Sequence, residues 1–113
     1  MVTDEELQRK IETLRKSFAA GLTARFAELN TALDSVLPGL PLEGQSAPIQ
    51  TILEQTHKIA GSAGTFGFNQ MSAIASQAEQ LCERILKNRH GSDEAALRDL
   101  RDKIAAIHAE GPQ

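Results

Sequence analysis

His57 lies in the run Thr56-His57-Lys58-Ile59-Ala60-Gly61-Ser62-Ala63-Gly64-Thr65-Phe66-Gly67-Phe68, and an imidazole in that company has the surroundings of a nucleophile. On a helix, Gly61 and Gly64 fall one and two turns beyond His57, on nearly the same face. Each glycine costs a helix interior roughly 1 kcal/mol against alanine. Two beside one histidine point to close approach by another backbone. Ser62 and Ala63 are also small, which keeps the surface around the ring low. Lys58 adjoins His57 and is the only Lys or Arg between Arg25 and Arg84. Taken alone it reads as a solvated side chain at the stripe's edge; taken with the histidine and glycines it reads as a contact for the oxygen of a phosphoryl group held on the ring.

Other chemistries fit less well. Glu54-Gln55-Thr56-His57 spells Glu-x-x-His, the pair used by di-iron helical bundles, but His90 and His108 follow Lys87 and Ala105 at that spacing, so no second pair exists. No metal site is expected. The glycine-rich stretch lacks the Gly-Lys-Ser/Thr of a phosphate loop and no strand precedes it. No Ser or Cys sits in a nucleophile elbow. Cys82 falls on an apolar helix side and reads as a small core residue. His90 and His108 read as solvated residues near helix ends.

The elements that position His57 follow from periodicity. Thr3 before Asp4-Glu5-Glu6 is a helix start, with a capping hydroxyl and acids in the first turn. Leu7, Ile11, Leu14, Phe18, Leu22, Phe26, Leu29, Leu33 and Val36 form one apolar stripe, which Gly21 either bends or divides between two helices. Pro38-Gly39-Leu40-Pro41 ends it, in a loop running through Gly44 to Ala47. Ser46 or Ala47 opens the next helix, with Pro48 in its first turn. Its buried stripe is Ile49, Ile52, Leu53, Thr56, Ile59, Ala60, Ala63 and Phe66. His57 lies at the edge, with Glu54, Lys58, Gly61 and Gly64 toward solvent. Gly67 is the left-handed cap and Asn69 the cap of the following helix. That helix buries Met71, Ile74, Ala75, Ala78, Leu81, Cys82, Ile85 and Leu86, and ends near Asn88-Arg89-His90-Gly91. Ser92-Asp93-Glu94-Ala95 opens the last, which turns Leu97, Leu100, Ile104 and Ile107 inward before Gly111-Pro112. The expectation is an all-α, antiparallel four-helix bundle, a single domain over residues 1–113.

Composition agrees. A chain of 113 residues with 41% hydrophobic content supplies one core, filled by Leu, Ile and Ala because there are only four Phe, no Trp and no Tyr. A net charge of −3 argues against a nucleic-acid partner. One cysteine allows no internal disulfide. The acidic Met1–Glu6 does not read as a signal peptide, and no apolar run approaches the ~20 residues of a membrane span. A cytoplasmic location away from membranes is expected.

The segment from His57 to Gly67 resembles the signature of histidine-containing phosphotransfer (HPt) domains, His-x-Leu-Lys-Gly-Ser-Ser/Ala followed by a Leu-Gly or similar pair. His57, Gly61, Ser62 and Phe66-Gly67 match, and Ile59 stands in for leucine. Length and helix order agree more loosely along the whole chain. Two positions depart. The family's lysine three residues after the histidine is Ala60, which leaves Lys58 as the nearby cation. A helix position where some members carry a glutamine that bonds the imidazole is Glu79, with Gln77 and Gln80 close by. Facing His57, Glu79 would hold the ring's tautomer and repel a phosphoryl group.

The resemblance implies a phosphorelay carrier of two-component signalling. His57 would take a phosphoryl group from a receiver domain's phospho-aspartate and pass it to another receiver. The partners would be response-regulator receivers or a hybrid histidine kinase, with Mg²⁺ supplied by the receiver and no cofactor of the chain's own. No ATP site and no autonomous kinase activity are implied. Leu53 and Phe68 would give apolar contact around Glu54, Gly61, Gly64 and Glu79. An alternative is a four-helix adaptor that binds a signalling partner through the same face without phosphoryl chemistry. A histidine-kinase dimerisation hairpin fits less well, because it usually has an acid directly after the histidine, where this chain has Lys58. A monomer is expected.

Overall fold

The computed structural model describes residues 3–36, 46–87 and 94–111. Four helices account for almost all of them: α1 (Asp4–Asp34), α2 (Ser46–Thr65), α3 (Asn69–Lys87) and α4 (Glu94–Ala109), with no strand among the described residues. Each helix packs on the next in the chain, α2 and α3 most closely, and the ring closes only weakly between α1 and α4. This is the expected all-α four-helix bundle.

Local chemistry sets the helix ends. The Thr3 hydroxyl accepts the Glu6 N–H at 3.1 Å, ahead of Asp4, Glu5 and Glu6 in the first turn. α1 continues unbroken through Gly21, so the divided-helix alternative is not adopted. α2 opens at Ser46 with Pro48 in its first turn, where a missing N–H costs no helical bond. It closes in a Schellman motif: Phe68 N–H reaches Ala63 C=O at 2.9 Å and Gly67 N–H reaches Gly64 C=O at 3.3 Å. Gly67 takes φ +86°, the left-handed conformation open to glycine without a Cβ penalty.

This tight turn corrects one expectation. Asn69 does not cap α3 from outside; it is the first helical residue, and Ser72 N–H bonds to Phe68 C=O at 3.0 Å. Only Phe66-Gly67-Phe68 separates the helices, so the cap falls on Phe68. The Pro38–Gly44 loop, the Asn88–Gly91 turn with His90, the Ser92-Asp93 start and Pro112 lie outside the described residues.

The core runs from Leu22, Phe26 and Leu29 of α1 through Ile49, Ile52 and Ile59 to Met71, Cys82, Leu100 and Ile107, all buried. Leu53, Ala60, Phe66, Ile74 and Leu86 are half-buried at its margin. The larger correction concerns the start of α1. Leu7, Ile11 and Leu14 belong to the apolar stripe, yet they are 51%, 41% and 56% exposed. Length explains it. At about 1.5 Å per residue, the 31 residues of α1 span about 46 Å and the 20 of α2 about 30 Å, so α1 outruns the bundle. The molecule is 56 Å long and 23 by 20 Å across.

Candidate functional site

His57 stands near the middle of α2, one position from buried Thr56. Thr56 is wholly buried, and its hydroxyl donates to the carbonyls of Ile52 and Leu53 at 2.8 and 3.0 Å. A β-branched side chain satisfied within its own helix keeps this turn regular. Ile59 and Ala63 are also fully buried. The histidine is therefore mounted on a helix whose inner face is fixed, while its own side chain is 72% exposed.

The close pairing of α2 with α3 rests on small residues. Ser72 Oγ donates to the Ala60 carbonyl at 2.6 Å across the helix pair. A Cβ on Gly64 would come within 3.2 Å of that same oxygen. Gly64 is exposed, as expected, and also serves the chain's own packing against α3. Both glycines are exposed, but Gly61 differs in that nothing lies within 4 Å of where its Cβ would be. Of the two glycines, Gly61 leaves open surface beside His57.

The resulting register brings Glu79 of α3 to His57. Glu79 Oε2 lies 2.6 Å from His57 Nδ1, with the carboxylate side chain 18% exposed. An ionised carboxylate only accepts hydrogen bonds, so this contact places a proton on Nδ1, and in the neutral ring the lone pair is then on Nε2. Nε2 has no hydrogen-bond partner among the described residues. The ring is held at one nitrogen and free at the other.

The remaining expected residues spread around this pair. Lys58 and Glu54 are exposed, and Lys58 has no hydrogen bond or ion pair among the described residues. Leu53 and Phe68 are half-buried and packed against the core, with part of each side chain left at the surface. Phe68 lies 5.8 Å from the Phe18 ring, and the Arg15 guanidinium sits 4.9 Å from its centroid. Cys82 is buried beneath this helix pair, as expected. Burial, with the Glu79 and Glu83 charges adding to it, pushes its thiol up to about 12, so it stays protonated and unreactive at neutral pH. His108 is exposed but stacks on Phe26 at 4.5 Å between ring centroids.

Ser72 and Arg15 were not picked out from the sequence. Ser72, Ser76 and Glu79 recur at helical spacing, and that stripe of small residues ending in an acid is the signal that α2 packs here. Arg15 carries no local signal, since its partner Phe68 is distant in the chain.

The site is thus an exposed histidine on the second helix of a four-helix bundle, met by a carboxylate from the third. The chain belongs to the Hpt domain family, whose model matches residues 5–110. No curated protein and no solved structure matches the chain. Hpt domains are phosphocarriers of two-component signalling that work with receiver domains and histidine kinases, rather than enzymes with a catalytic site of their own. No described helix is long and apolar enough to cross a membrane.

Proposed function

We propose that His57 is the phosphoacceptor, taking a phosphoryl group from the phospho-aspartate of one receiver domain and delivering it to the aspartate of another. The observation that carries this reading is the His57–Glu79 contact: 2.6 Å at Nδ1, with Nε2 unpartnered on a mostly exposed ring. Nε2 attacks phosphorus, the P–O bond to the receiver's aspartate breaks, and that carboxylate leaves with the bonding electrons. The product ring is a cationic phosphoimidazole that keeps its Nδ1 proton. The Glu79 carboxylate stabilises that charge through the existing hydrogen bond, and because it sits at Nδ1 while the phosphoryl group is on Nε2, the repulsion expected from the sequence acts across the ring and not at direct contact.

Phosphoryl transfer asks mainly for in-line placement and charge neutralisation. The rigid α2–α3 pair provides the placement. Mg²⁺ held by the receiver's acidic pocket would supply neutralisation on the other side of the phosphoryl group. Lys58 lies next in sequence and has no ion pair among the described residues, which fits it to meet a phosphoryl oxygen. The open surface at Gly61 admits a receiver loop, and the half-buried Leu53 and Phe68 offer apolar margin for docking.

The test follows label from phosphorylated receiver domains with Mg²⁺ onto this chain and onto His57→Gln. Acid-labile, base-stable label on the wild type and none on His57→Gln is the expected result. The exposed position predicts unchanged folding of the variant. A folded wild type that no receiver labels, yet which still binds receivers, would move the assignment to an adaptor using the same face.

A further inference from the structure

Helices α2 and α3 share an apolar seam, but among the described residues only two polar side-chain contacts join them: His57 with Glu79, and Ser72 with the Ala60 carbonyl. We propose that the second contact governs the first. Ser72 is a positioning residue, and its hydroxyl holds α3 at the height and rotation that bring Glu79 to Nδ1 of His57. The consequence for phosphoryl transfer rests on the phosphocarrier reading; the consequence for the ring does not.

Spacing connects the two contacts. Ser72 and Glu79 are seven residues apart on α3, two turns less about 20°, so both side chains leave the same face of the helix. Ala60 lies three residues after His57 on α2, nearly one turn. Both contacts therefore bridge the same pair of helix faces, at points about 10 Å apart along α3.

The rest of the seam fixes height and rotation poorly. Between Ser72 and Glu79, α3 turns Ala75 and Ala78 into the core, both fully buried. Such small side chains offer few ridges to interlock with a neighbouring helix, and apolar contact has no preferred direction. The Phe66-Gly67-Phe68 turn anchors only the start of α3, through Phe68 N–H to Ala63 C=O at 2.9 Å. Ser72 adds a directional restraint. Its 2.6 Å bond is at the short end for a hydroxyl donor, and the residue is half-buried. Gly64 leaves just enough room for it, since a Cβ there would sit 3.2 Å from the Ser72 Oγ.

Small errors matter at Glu79. With side chains an α-helix has a radius of about 5–6 Å, so a rotation of about 20° carries a side-chain tip through about 2 Å. That takes the 2.6 Å contact past hydrogen-bonding distance. Released from Glu79, the neutral ring is free to carry its proton on Nε2. That is the nitrogen assigned to attack phosphorus, and once protonated it has no lone pair to offer. Ser72 thus controls the nucleophile through Glu79.

Nitrogen-15 NMR of the His57 ring reads this directly, because protonated and bare ring nitrogens have well-separated shifts. A pH of about 8.5, two units above the ordinary imidazole value, reads the ring in its neutral form. The wild type should show the proton on Nδ1, and Ser72→Ala should move a substantial share of it to Nε2. In transfer from a phosphorylated receiver with Mg²⁺, Ser72→Ala should slow labelling about three- to tenfold. In a Glu79→Ala background the same substitution should slow it by less than about twofold, since the group it positions is gone. Circular dichroism and urea unfolding check that each variant is folded. A wild-type ring protonated on Nε2, an unchanged ring in Ser72→Ala, or equal slowing with and without Glu79 overturns the proposal. A ring that responds to Ser72→Ala in a chain that no receiver labels would remove the phosphoacceptor assignment and leave the positioning intact.

Discussion

Ile52, Ile59 and Ala63 on α2 lie in one buried core with Met71, Ala75 and Ala78 of α3, whereas Leu7, Ile11 and Leu14 on α1 face outward. Both regions carry apolar residues at steps of three and four. In the first, a second helix comes close enough for Ser72 to bond the Ala60 carbonyl, and the outer face is left to one histidine. In the second, the bundle ends before the stripe does. The difference teaches that an amphipathic pattern specifies which side of a helix is apolar, but cover depends on the length and placement of its neighbours. The α2–α3 pair gains rigidity that a reacting group needs; the start of α1 gains an unfilled surface.

Paired truncations would break this comparison most sharply. Ile59→Ala should lower stability by about 2–5 kcal/mol through lost burial and a residual cavity. Ile11→Ala, measured at low protein concentration, should change it by about 0.5 kcal/mol or less. Urea unfolding of both variants gives the numbers. Equal effects would mean that α1 is covered over its whole length.

Glu79→Ala comes next and tests whether the brace at Nδ1 matters for the chemistry. A hydrogen bond to a charged group is worth about 1.5–3 kcal/mol, and about 1.4 kcal/mol is tenfold in rate. Phosphoryl acceptance by His57 should therefore slow by at least about tenfold. Glu79→Gln, which keeps an acceptor oxygen without the charge, should fall between Ala and wild type. Stopped transfer assays against one receiver resolve the three, and an unchanged rate in Glu79→Ala would reduce the contact to packing.

The smallest effect separates the two glycines. Gly61→Ala adds a methyl group into open space in a helix interior, so thermal unfolding should show a gain of about 0.5–1 kcal/mol. Receiver binding should weaken, because that methyl group occupies the low surface beside His57. Gly64→Ala should gain less, since its Cβ meets Ser72 Oγ at 3.2 Å. Reversal of that order would place the close approach at Gly61.

Much of this molecule follows from local rules. Thr3 caps α1 and Gly67 takes a left-handed φ because these needs are met within a few residues of chain. The four helices and the inward faces of α2, α3 and α4 follow from periodicity, and the run from His57 to Gly67 carries the family resemblance. What the sequence left open depended on distances between helices. Glu79 occupied a position known only by counting; its 2.6 Å contact with His57 exists because a three-residue turn and the Gly64–Ser72 fit set how α3 slides against α2. The roles of the two glycines divide for the same reason, since one faces Ser72 and the other faces no atom. Exposure of Leu7, Ile11 and Leu14 was hidden because periodicity reports direction around a helix axis, while burial also requires a neighbour at the same height along it.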